Sequence, residues 1–261
     1  MFPELDLGPL TLQTFGICFA VGFLASGALI ARRLSEIGKP VDWAYEIAFV
    51  ALVGGLVGAR LDYIVENYER SDGLLDNVFS GSGLVWYGGL LGGAVGVLLW
   101  AHRRGFLERR LLDLSAPSLA LGNAIGRLGC QLSGDGDYGR ATDLPWGMAY
   151  PEGTVRTLEE VHPTPVYETV ALGLVALLLW SLRDRVRPGA LFSLYLVLSG
   201  AERLLVEFVR RNEDVLVGLT QAQLISVAMI AAGAAWLMRM RGGPGEPRQG
   251  DSPRPGEPRP A

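Results

Sequence analysis

Seven long apolar runs alternate with short charged segments along this chain. They cover residues 10–31, 43–65, 83–101, 111–128, 165–182, 189–209 and 219–238. A helix needs about 20 mostly apolar residues to cross a bilayer, and in lipid the backbone must satisfy its own hydrogen bonds. The pattern therefore predicts an all-α, polytopic membrane protein, a bundle of seven transmembrane helices. The fourth run is the weakest, being short and holding Asp113 and Pro117. The first is too long for a signal-peptide core and has no basic leader, so it is expected to stay as an anchor. Glycines recur four apart, Gly54 with Gly58 and Gly88 with Gly92 and Gly96. Small residues so spaced let helices approach closely in lipid. The plain reading is bundle packing; a functional addition is a rigid wall for a cavity.

The polar segments between the runs set an orientation. Arg32, Arg33 and Lys39 follow the first run, Arg103, Arg104, Arg109 and Arg110 the third, Arg183, Arg185 and Arg187 the fifth, and Arg239 and Arg241 the seventh. Alternate loops are poorer in basic residues, with Arg210 and Arg211 running against the trend. Cytoplasmic loops are the basic ones, so the N-terminus is expected outside and the C-terminus in the cytoplasm. Residues 1–241 read as a single integral membrane domain. Residues 242–261 hold Gly, Pro and charge with almost nothing apolar, and read as a disordered cytoplasmic tail.

Composition adds little. The chain has 261 residues, 49% hydrophobic and 19% charged, with mean hydropathy +0.28; that leans towards a membrane protein, and the runs decide it. The two cysteines, Cys18 and Cys130, form no disulfide framework and no metal-ligand cluster. Asp135 and Asp137 are spaced as in a calcium loop, but that loop wants a glutamate at its twelfth position, and Trp146 stands there. The sole lysine, Lys39, lies in a loop, which excludes a retinal Schiff base in the last span.

Candidate chemistry lies in the ionisable residues at membrane depth, which are functional candidates by default. They are Arg60 and Asp62 in the second span, Arg127 at the end of the fourth, Glu168 at the start of the fifth, and Glu202, Arg203 and Glu207 in the sixth. Arg203 and Glu207 stand at i and i+4 and can pair. Spans two, four and six run in one direction, so Arg60, Arg127 and Arg203 fall in their outer halves and could converge. A guanidinium keeps its charge and its planar fork suits phosphate. The expected ligand is an anionic phosphate at the outer leaflet, such as a phospholipid head group. A lone arginine near a span end would more simply snorkel to the interface.

These residues carry a resemblance. Gly126-Arg-Leu-Gly-Cys-Gln-Leu-Ser-Gly-Asp-Gly-Asp-Tyr-Gly-Arg140 resembles the central glycine–arginine motif of bacterial prolipoprotein diacylglyceryl transferases. Gly58-Ala-Arg60, His162-Pro-Thr-Pro-Val-Tyr-Glu168 and Arg203-Leu-Leu-Val-Glu207-Phe resemble three further elements of that family, in the same order. The chain departs from it as well. Cys130 and Ser133 stand where the family has asparagines after Gly129, and Asp135 and Asp137 compete for a glutamate position. Trp86-Tyr87-Gly88-Gly89 puts Tyr87 where a histidine, often discussed as the catalytic base, is usual.

The resemblance implies transfer of a diacylglyceryl group from phosphatidylglycerol to the lipobox cysteine of a prolipoprotein, in the bacterial cytoplasmic (inner) membrane, with the active site towards the outer leaflet. It implies no cofactor, metal or nucleic-acid partner. Arg127 and Arg203 would stabilise the leaving phosphate, with Arg60 and Arg140 as helpers. Asp135, Asp137, Tyr87 and His162 are candidates to take the thiol proton, the aspartates foremost. Gly129, Cys130, Ser133, His162, Tyr167, Glu168 and Glu207 would bind or orient substrate, Glu207 by holding Arg203. The rival readings are a related lipid transferase with another acceptor, and a transporter or binding protein for anionic lipid or solute.

Overall fold

The computed structural model describes residues 1–8, 10–66, 86–212, 214–216 and 218–241. Among them are seven helices: α1 (Thr14–Glu36), α2 (Trp43–Glu66), α3 (Trp86–Arg104), α4 (Arg109–Ser133), α5 (Thr164–Leu182), α6 (Ala190–Glu207) and α7 (Gln221–Arg241). Each apolar run becomes one helix. Four of these, α1, α2, α5 and α7, are long and apolar enough to cross a membrane by length and composition. The start of the third run, the loop before it and the proposed tail lie outside the described residues.

Boundaries shift where polar chemistry intervenes. Residues 10–13 are not helical: β2 (Leu10–Gln13) pairs antiparallel with β1 (Glu4–Leu7). The Thr14 hydroxyl then bonds the Phe2 carbonyl, tying the start of α1 to the hairpin. Two more antiparallel pairs follow, β3 (Met148–Tyr150) with β4 (Thr157–Val161), and β5 (Asp214–Leu216) with β6 (Leu219–Thr220).

The chain divides into two compact units, one of Met1–Ile30 with the chain from Leu112 onward, the other Ala31–Leu111. In the smaller unit α2 and α3 pack backbone against backbone. A Cβ at Gly54 would stand 2.5 Å from the Gly92 carbonyl oxygen, and one at Gly96 2.5 Å from that of Val50. The recurring glycines serve packing there. Asp62 accepts the Gly88 N–H at 2.9 Å, satisfying a free donor in the first turn of α3.

In the larger unit, α4 lies close to α1; a Cβ at Gly129 would meet the Cβ of Cys18 at 2.8 Å. Asp113, the residue that weakens the fourth run, is 3% exposed. Its carboxylate accepts the Gly189 N–H at 2.6 Å and the Phe192 N–H at 2.9 Å. An anion at a helix N-terminus is favourable, so Asp113 acts as the cap of α6. Ala116 and Ala120 of α4, Ala176 and Leu179 of α5 and Leu191 of α6 form the buried core beside it.

Candidate functional site

Three chain segments meet at one end of the larger unit: the close of α4, the start of α5 and the close of α6. Gly134 stops α4 in the left-handed conformation (φ 60°), and its N–H bonds the Cys130 carbonyl at 2.9 Å. Gly136 is left-handed as well (φ 95°). These two turns carry Asp137 back over the end of α4 to Arg127. Residues 139 and 140 then stitch the other two helices together. Gly139 N–H bonds the His162 carbonyl at 2.8 Å, His162 N–H that of Arg140 at 3.0 Å, and Arg140 N–H that of Val209 at 2.8 Å. The segment between Asp137 and α5 is tethered too: Tyr138 and Tyr150 stack at 4.9 Å, and Tyr150 donates to Gln131 Oε1 at 2.9 Å.

This folding gathers three guanidiniums around Glu168, which is 1% exposed. Arg203 donates to Glu168 Oε1 at 2.9 Å and Arg210 to Oε2 at 3.1 Å, while Arg127 Nε lies 3.4 Å from Oε2. Arg127 and Arg210 also grip the Asp137 carboxylate, one on each oxygen. The predicted i, i+4 pair forms, with Arg203 Nη2 2.9 Å from Glu207 Oε2. Glu207 Oε1 in turn accepts from Asn212 at 2.6 Å and from the Thr220 hydroxyl at 2.7 Å. Buried charge is tolerable only when paired and hydrogen-bonded, and here three cations meet three carboxylates. Glu202, next along α6, adds a carboxyl whose buried Oε1 has no hydrogen-bond partner among the described residues. Burial pushes the Asp137 carboxyl up, but the Arg210 and Arg127 guanidiniums outweigh it and hold it below the usual carboxylate range.

Other predicted residues occupy plainer positions. The Ser133 hydroxyl bonds the Gly129 carbonyl at 2.9 Å within the last turn of α4. Cys130 is buried in the same turn. Asp135 accepts the Asp137 N–H at 3.2 Å. Arg140 is exposed, with Nε bonded to the Arg210 carbonyl at 3.1 Å. His162 Nδ1 stands 3.4 Å from the Tyr167 hydroxyl, which also accepts from Trp146 Nε1 at 2.8 Å. Pro163, Val166 and Tyr167, with Trp146, Gly147 and Met148, line an apolar concavity of about 660 Å³. Thr164 and Glu168 are buried residues of the same helical turns; the Thr164 hydroxyl donates to the Asp137 carbonyl at 2.5 Å. Arg60 belongs to the smaller unit, its guanidinium 5.3 Å from the Tyr63 ring centre. Tyr87 lies in the first turn of α3, and its side chain is outside the described part.

Ligand atoms of Cys130, Asp135 and Asp137 lie within 4.8 Å of one another. A cation there would compete with the two guanidiniums that already hold Asp137, so the set suits a metal poorly. Arg210 was missed as a site residue. Its signal was the Arg210–Arg211 pair standing against the basic-loop pattern.

The prolipoprotein diacylglyceryl transferase family model matches residues 4–239. The chain is 33% identical over 235 residues to the phosphatidylglycerol–prolipoprotein diacylglyceryl transferase of Clostridium tetani, covering 87% of this chain and 93% of that protein. It is 32% identical over 243 residues to the enzyme of that name from Dehalococcoides mccartyi, covering 87% and 88%. It is 32% identical over 253 residues to that of Bordetella parapertussis, covering 89% and 94%. An array of paired arginines and carboxylates at one end of a set of membrane-length helices accords with those matches, and the chain belongs to the prolipoprotein diacylglyceryl transferase family.

Proposed function

We propose that this chain transfers the diacylglyceryl group of phosphatidylglycerol to the cysteine thiol of a prolipoprotein lipobox, releasing glycerol phosphate. The observation that carries this reading is the meeting of Arg127, Arg203 and Arg210 at one buried carboxylate, Glu168. Donors fixed in a poorly hydrated site stabilise charge as it develops, without reorganising during the reaction. The thiol loses its proton to become the nucleophile. Its sulfur attacks the glyceryl carbon bearing the phosphate, and the C–O electrons leave with that phosphate.

Arg127, Arg203 and Arg210 are assigned to the phosphate, with Arg140 as a helper. Glu168 and Glu207 orient the guanidiniums. Gly129, Cys130 and Ser133 hold the last turn of α4, and His162 and Tyr167 border the apolar concavity, which suits an apolar part of a substrate. The thiol proton goes to Asp135 or Asp137, with His162 as the remaining candidate in the larger unit. All seven helices are taken as spans of the bacterial inner membrane. In this arrangement the N-terminus and the site lie towards the outer leaflet, and the C-terminal tail is cytoplasmic. Residues 1–241 act as one membrane transferase domain.

The test is a reaction in detergent with phosphatidylglycerol and a short lipobox peptide, followed by mass spectrometry. A diacylglyceryl thioether is expected on the cysteine peptide and none on its Cys→Ser control. Absence of the thioether, while a relative works in the same mixture, removes the proposal.

A further inference from the structure

The three arginines gathered at Glu168 carry no positive charge that a carboxylate does not match. Arg127, Arg203 and Arg210 are matched by Asp137, Glu168 and Glu207, even before Glu202 is counted. A phosphate can take the donors of Arg127 and Arg210 that Asp137 holds only if that carboxylate lets go, and a newly bound anion would otherwise face matched charge. Glu168 and Glu207 cannot readily do so: their side chains are 1% and 0% exposed, and Glu207 is held by Asn212 and Thr220 as well. The Asp137 side chain is 33% exposed. It sits across Arg127 and Arg210 with one oxygen on each, as two phosphate oxygens would.

We propose, resting on the transferase reading, that the Asp137 carboxylate is a resident occupant of the phosphate seat, which the lipid phosphate displaces and which, once displaced, takes the proton of the acceptor thiol. The Thr164 hydroxyl pins the Asp137 carbonyl, so displacement is a side-chain rotation rather than a loop movement. Between two guanidiniums the carboxylate is a poor base. Released from the two guanidiniums, it loses the positive charges that disfavour its protonation and becomes a better one. The thiol proton passes to a carboxylate oxygen, the sulfur bonds the glyceryl carbon, and the phosphate leaves with the C–O electron pair. Lipid binding thus creates the base, and a thiol meeting the empty site is not activated.

The full chain in detergent tests this by lipid binding, with diacylglycerol as the phosphate-free control. Asp137→Asn removes the competing charge, so phosphatidylglycerol binding should tighten by about tenfold, because the occupied seat no longer taxes affinity. Transfer to a lipobox peptide should fall by about 100-fold or more. A structural or merely positioning role predicts weaker lipid binding, and equal or weaker binding overturns the proposal. The wild-type chain supplies a second arm that no folding defect touches. Carbodiimide labelling of Asp137, read by peptide mass spectrometry, should rise several-fold with phosphatidylglycerol and not with diacylglycerol. Unchanged or reduced labelling also overturns it. Tighter binding and raised labelling without any thioether on the wild type would keep the seat and discard the transferase reading and the proton step.

Discussion

Arg210 joins two carboxylates that lie 31 positions apart in sequence, Asp137 and Glu168. A lysine there keeps the charge but has one point of attachment in place of a planar fork. Arg210→Lys should therefore reduce transfer by about 100-fold, the scale of losing one fixed donor in such a site, and lower the thermal midpoint in detergent, because one of the two carboxylates it holds loses a donor. A fully active lysine variant would show that charge alone suffices. Arg127→Ala should abolish transfer by a comparable or larger factor with the fold retained. The depressed Asp137 carboxyl also makes a pH prediction. Its ion pairs contribute stability that is fully present above the ordinary carboxylate pKa of about 4, and is lost as pH falls through the lower folded value. Thermal midpoints followed from neutral pH into acid should drop more for wild type than for Asp137→Asn; parallel curves would refute the coupling. Of these residues, Arg127, Arg203 and Glu207 were legible from sequence as charges at membrane depth. Arg210 was not, because at a span end it read as an exception to loop charge.

At the scale of elements, two aspartates inside apolar runs turn out to be caps on neighbouring helices. Asp113 holds the N-terminus of α6 and Asp62 that of α3. Asp113→Ala leaves the buried Gly189 N–H and the half-buried Phe192 N–H with no acceptor on that side chain and should cost about 1–3 kcal/mol. Chemical or thermal denaturation in detergent measures it, and a shift within error would mean that other groups cap α6. Glycine packing makes a second prediction at this scale. Gly92→Ala places a methyl into the α2 backbone near Gly58, where a Cβ has less than contact distance. Destabilisation of about 1–3 kcal/mol is expected from such overpacking, whereas Gly173→Ala, with nothing within 4 Å, should be nearly neutral. Periodicity announced the helices. It could not announce the caps, because an aspartate's partner on another helix leaves no trace in local sequence.

Over the whole molecule, the proposed orientation is testable with single cysteines in a background lacking Cys18 and Cys130. Leu158, 84% exposed in β4, should label from outside with an impermeant maleimide when changed to cysteine. Leu107, 56% exposed between α3 and α4, should label only after the membrane is opened. The reverse pattern would invert the topology. Among the described residues, the order and approximate limits of the helices were determined by the sequence alone, because each apolar run is long enough to form one helix; four of the seven are also long and apolar enough to cross a membrane. So was the Arg203–Glu207 pair, since i, i+4 spacing puts both on one helix face; the glycine spacing marked faces for close packing, and the structure paired those of α2 and α3. Only the tertiary structure decided which charges neutralise which. Glu168 gathers arginines from two other helices and the segment after α6, and Asp137 reaches Arg127 through two left-handed glycines. Coulomb pairing depends on distance in space, and distance in space is set by how the helices pack.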